Sequence, residues 1–120
     1  MISASIKQEI ERDFAKFKNE VLGVLVYGSY ATGNSTPKSD IDICIVAGNA
    51  KKAREMYRDT LAIQGKKPKY DIHFFELMPL HMQISVMKNG KIILSKNPPE
   101  LSYYFYFFRK IWEEQALNRV

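Results

Sequence analysis

Two aspartates, Asp40 and Asp42, stand two residues apart in the run Asp40–Val46 (DIDICIV), and a third, Asp71, sits near the start of Tyr70–Phe75 (YDIHFF). Alternate residues of a strand share a face, so Asp40 and Asp42 project together, about 6.5–7 Å apart along it. Ile41, Ile43 and Ile45 take the opposite face. Taken alone, Asp40 after Ser39 reads as a turn leading into a strand. Three carboxylates at one place repel one another, and a hard cation relieves that repulsion. Aspartate oxygens suit Mg²⁺ or Mn²⁺, which also take substrate phosphates. Such ions lower the pKa of an attacking hydroxyl and stabilise the oxygen leaving a phosphate. Upstream, Gly28-Ser29 ends an apolar run. A glycine there lets phosphate approach the backbone N–H groups, with the Ser29 hydroxyl beside them.

The elements that would position these groups are read from periodicity. Ile2, Ile6, Ile10, Phe14 and Phe17 recur at helical spacing, which predicts an amphipathic helix over about 3–19. Val21–Tyr27 (VLGVLVY) reads as a buried strand and 28–39, rich in Gly, Ser, Thr and Asn, as a loop with a short helical turn near 30–32. Asp40–Val46 is a second strand, about 50–63 a helix, Tyr70–Phe75 a third strand, 79–88 a helix and 91–94 a short strand. Pro98-Pro99 open a last helix. The order predicts an α/β (α+β) fold, a small mixed sheet with helices packed on it. The 12-residue connection between the first two strands holds no full helix, so they pair antiparallel. The 23-residue connection to the third holds one and permits a parallel crossover. Asp40, Asp42 and Asp71 then share one sheet edge with Gly28-Ser29.

Gly28-Ser29, ten intervening residues and Asp40-Ile41-Asp42 match the G-S-x(10)-D-x-D pattern of the minimal nucleotidyltransferases. Over GSYATGNSTPKSDIDICIV, and across about 18–95, the chain resembles this family of the DNA polymerase β-like superfamily. The resemblance implies a nucleotidyltransferase fold with ATP as substrate. It also implies nucleotide phosphates held at Gly28 and Ser29, metals on Asp40 and Asp42, and Asp71 as the third, hydroxyl-activating carboxylate. One departure stands in the loop: relatives carry Arg where this chain has Thr32. The resemblance further implies an antitoxin role beside a HEPN-domain toxin, with AMP moved onto a tyrosine of that partner. A non-catalytic antitoxin and the catalytic subunit of a small-molecule nucleotidyltransferase are the alternatives. Nucleic acid is not expected as the direct substrate, because the 120 residues leave no second domain to read a base.

Other residues read more plainly. Lys38 precedes the carboxylates in the loop and either meets a triphosphate or is solvated. His73 reads first as a satisfied core histidine and second as a partner of Asp71; His81 reads as surface or packing. Cys44, the single cysteine, reads as a small buried hydrophobe and excludes an internal disulfide, in keeping with a reducing cytoplasm. The net charge of +5 favours anionic ligands, and 46% hydrophobic with 26% charged residues is ordinary globular composition. No apolar run reaches the roughly 20 residues of a membrane span. One domain over 1–120 is expected, ending in an aromatic-rich helix over 99–120. In Leu101–Trp112, seven of twelve residues are aromatic. Leu101, Phe105, Phe108 and Trp112 form one helical stripe and Tyr104, Phe107 and Ile111 another. That width exceeds what a small domain easily covers: either the sandwich core absorbs most of it, or a partner or second copy does, with Phe108 and Trp112 at the contact.

Overall fold

A computed structural model of the chain describes residues 2–36 and 38–118. Its centre is a four-stranded sheet in the order β3-β2-β1-β4, made of β1 (Gly23–Tyr27), β2 (Ile41–Val46), β3 (Tyr70–Phe74) and β4 (Lys91–Leu94). β1 pairs antiparallel with β2, with Tyr27 opposite Asp42, and β2 pairs parallel with β3, with Asp42 opposite Asp71. Both orientations follow the expectation from connection length. β4 lies antiparallel on the outer edge of β1.

Side-chain alternation divides the core in two. Val24, Val26, Ile41, Ile43, Ile45 and Phe74 face one layer, closed by α1 (Ala4–Asp13) and α3 (Ala50–Lys66). Leu25, Tyr27, Cys44 and Val46 face the other, closed by Phe75, α4 (Leu80–Asn89) and α5 (Pro98–Asn118). Cys44 is fully buried there, as its size and place on the strand suggest.

Three boundaries differ from the periodicity reading. α1 is capped by Ser3, which accepts from the Ile6 N–H at 3.2 Å, but it ends at Asp13 and not near 19. A 3₁₀ turn at Ala15–Phe17 follows. Its tighter winding eclipses residues three apart. Phe14 and Phe17 therefore enter the core side by side, ring centres 6.2 Å apart, and the chain turns back toward β1. α3 runs on through Gly65 to Lys66, because a Cβ at Gly65 would meet only open space and nothing there forces a stop. Asp40 lies one residue before β2, not on it. Among the described residues no helix is long and apolar enough to cross a membrane.

α5 resolves the aromatic question by sorting its stripes. Leu101, Phe105 and Phe108 point inward, and the Phe75 ring sits 5.0 Å from those of Phe105 and Phe108. Trp112 is half-buried beside Ile84 and Met87 of α4. Phe108, one of the two residues expected at a contact, thus packs partly on the domain's own second layer. Tyr103, Phe107 and Ile111 stay exposed, at 63%, 50% and 50%. The end of this helix expected at 120 lies outside the described residues.

Candidate active site

The corner is built from the turn upward. β1 gives way to Gly28, whose φ of +71° and ψ of −148° lie in a region that side-chain-bearing residues avoid. A Cβ at Gly28 would stand 2.1 Å from Oδ2 of Asp42. Backbone conformation and the space needed by Asp42 thus both require glycine. Ser29 begins a single helical turn, α2 (Ser29–Thr32), closed by Gly33 at φ +82°. The N–H groups of Ala31 and Thr32 return to the Gly28 carbonyl, each at 3.1 Å. The N–H groups of Ser29 and Tyr30 open the turn and have no carbonyl within it to meet, as at any helix start.

Across the sheet, Tyr27, Asp42 and Asp71 form one row on three adjacent strands. Asp42 stands directly across from Asp71 on the neighbouring parallel strand. Its pKa is raised, first by burial, then by the negative charges of Asp71 and Asp40. Asp40 is exposed and acts on Asp42 through its charge. Tyr27 is buried, and desolvation followed by the charge of Asp42 pushes its hydroxyl pKa well up, so the phenol stays protonated.

Among the described residues no three acidic, imidazole or thiol groups already enclose a metal ion. The donor chemistry nonetheless fits one. Asp42 and Asp71 offer carboxylates side by side on adjacent strands, which suit Mg²⁺ or Mn²⁺, and a Cβ at Gly28 would intrude on Asp42 Oδ2. Asp40 is a third oxygen donor at the margin.

His73 corrects the core reading. Its side chain is 42% exposed, and Nε2 lies 2.9 Å from Asp71 Oδ1. It is the residue two along β3 from Asp71 on the same face, so the alternation itself carries this signal. His81 is exposed. Lys38 is exposed in the loop. Thr32 folds its hydroxyl onto the turn, donating toward the carbonyls of Gly28 (3.3 Å) and Ser29 (3.4 Å). Asn34 donates to the same hydroxyl at 3.2 Å. Sequence reasoning did not single out Tyr27, whose place opposite Asp42 is readable from the antiparallel register around the loop. It also missed Glu76. That carboxylate accepts the N–H groups of Ala47 (3.1 Å) and Gly48 (2.9 Å) and the Tyr104 hydroxyl (2.7 Å). It fastens the far end of β2 to α5.

The chain resembles known proteins in sequence and in fold. A family model described as polymerase beta, nucleotidyltransferase matches residues 8–99. A candidate protein adenylyltransferase of Methanocaldococcus jannaschii is 44% identical over 96 residues, spanning 80% of this chain and 73% of that protein. Among solved structures, a toxin–antitoxin crystallised with AMP-PNP aligns with a TM-score of 0.72 at 14% identity, covering 94% of this chain and 91% of the other. A chain from the complex of tri-AMPylated Shewanella oneidensis HEPN toxin with MNT antitoxin aligns at 0.67 and 12% identity, covering 94% and 88%. At such identities these structures establish a shared fold.

Proposed function

The chain belongs to the polymerase beta nucleotidyltransferase family, and from that premise we propose that it transfers AMP from ATP to a tyrosine hydroxyl of a HEPN-domain toxin, as that toxin's antitoxin. The carrying observation is the register that sets Asp42 beside Asp71 on parallel strands, with the Gly28-Ser29 turn against Asp42. The HEPN partner draws support from the toxin–antitoxin complexes that share the fold. The protein adenylyltransferase assignment of the archaeal relative supports a protein acceptor.

In this reading the Ser29 hydroxyl and the N–H groups of Ser29 and Tyr30 receive phosphate oxygens, with Lys38 free to swing in from the loop. The acceptor oxygen attacks the α-phosphorus. The bond from that phosphorus to the bridging oxygen breaks, and pyrophosphate leaves with the electron pair. The acceptor proton passes to the Asp71 carboxylate, which His73 orients through Oδ1. Asp40 and Asp42, with Asp71, would hold Mg²⁺ or Mn²⁺, which when bound supplies neutralising charge at the transferring phosphate. The whole of 1–120 acts as one nucleotidyltransferase domain, in the cytoplasm.

Incubation of the chain with ATP, Mg²⁺ and a HEPN-domain protein, followed by peptide mass spectrometry, tests this. AMP on a partner tyrosine is expected; an unmodified partner with both Mg²⁺ and Mn²⁺ would refute it. One observation favours a binding-only antitoxin: the Thr32 hydroxyl is spent on its own turn and brings no cation to a phosphate. Toxin neutralisation in cells by an Asp40→Asn/Asp42→Asn variant would decide for that reading.

A further inference from the structure

We propose that two copies of this chain pair through the outward face of α5, antiparallel and related by a two-fold axis. The inference does not depend on the transfer reaction. At 100° per residue, Glu100, Tyr103, Phe107, Lys110, Ile111 and Glu114 fall on one stripe, centred roughly 120° round the helix from the stripe buried on the sheet. The exposed aromatics on and beside that stripe are already ordered among themselves. Tyr103 meets Phe107 edge-on at 5.1 Å and stacks with Tyr106 at 6.5 Å, and Lys110 Nζ sits 5.6 Å over the Tyr106 ring. Rigid aromatics on an apolar centre with charged ends are the composition of an interface, not of a solvated face.

Charge identifies the occupant. Among the described residues neither Glu100 nor Lys110 has an ion-pair partner within its own chain. A second α5 laid antiparallel, with Tyr103 against the second copy's Phe107, brings Glu100 against the second copy's Lys110. The same register brings Pro99 against Ile111. Each contact occurs twice, as a two-fold contact requires. A groove of about 620 Å³ runs beside the stripe, lined by Leu22, Ala47, Tyr103, Phe107 and Ile111 among others, and offers room for the incoming rings. Ala47 follows the C-terminal end of β2, five residues on from Asp42 and so about 16 Å along the sheet. The pairing therefore leaves the carboxylate corner of each copy open.

Sedimentation equilibrium of the full chain over a concentration series reads the pairing. The wild type should dimerise, and Phe107→Glu should be monomeric with an unchanged circular dichroism spectrum. Glu100→Lys or Lys110→Glu alone should weaken the dimer ~10-fold or more, most at low salt, because each places like charges together at two points. The exchanged pair Glu100→Lys/Lys110→Glu should restore it. A monomeric wild type, a dimer indifferent to Phe107→Glu, or an exchange that fails to restore would each overturn the proposal. So would a chain that is monomeric alone and buries Phe107 only against a different protein.

Discussion

Gly28→Ala separates two roles of one glycine by magnitude. Holding alanine at φ +71°, ψ −148° costs about 1–3 kcal/mol. For a chain of this size that is a fall in melting temperature of about 5–15 °C. The new Cβ would also begin 2.1 Å from Asp42 Oδ2. That atom ends a side chain, so it moves and the backbone does not; it must retreat by at least about 1.3 Å to reach an ordinary contact. Misplacing a reacting group by that much costs about 100-fold in rate. The assay is nucleotide transfer below the melting temperature of both proteins, beside thermal unfolding by circular dichroism. Gly65→Ala is the control: open space surrounds it on an ordinary helical backbone. It should raise stability by about 0.4–1 kcal/mol and leave transfer unchanged. A Gly28→Ala protein with wild-type melting and wild-type transfer would refute the reasoning.

Asp42→Asn removes a half-buried charge held against Asp71 and Asp40, so without added metal its melting temperature should rise while transfer falls below detection. Glu9 is held near pKa 2 by hydrogen bonds first from Lys69 and then from Lys67, so its contribution is present above about pH 4.5 and lost as pH falls toward 2. Glu9→Gln should flatten the loss of stability in that window, read by melting temperature against pH. Tyr104→Phe removes the 2.7 Å donation to Glu76 and should destabilise by about 1.5 kcal/mol in urea unfolding, with transfer retained because the contact lies at the far end of β2.

The sheet was legible because its strands are short apolar runs with clear turn residues between them, and because connection lengths of 12 and 23 residues distinguish a reversal from a crossover. That pairing orientation is what places Asp71 beside Asp42. Helix ends were less legible. Phe14 and Phe17 fit both an α-helix and a 3₁₀ turn by spacing, and only the need to return to β1 selects the turn. His73 looked like core because an apolar strand surrounds it in sequence, yet β3 is an edge strand, and edge position is a property of the sheet order. Glu76 bonds to residues 28 and 29 positions away, beyond any local pattern. On α5 the aromatic run gave the helix but not which stripe the sheet would claim. That depended on Phe75 turning into the second layer.

The central claim, nucleotidyl transfer at the Asp42–Asp71 corner, is tested most directly by paired isotopes. The chain is incubated with a HEPN-domain partner, Mg²⁺ and ATP labelled at either the α- or the γ-phosphate. α-Label should appear on the partner and γ-label should leave as pyrophosphate, and Asp42→Asn should bind the same partner and transfer neither. γ-Label on the partner, or α-label transferred undiminished by Asp42→Asn, would contradict the account.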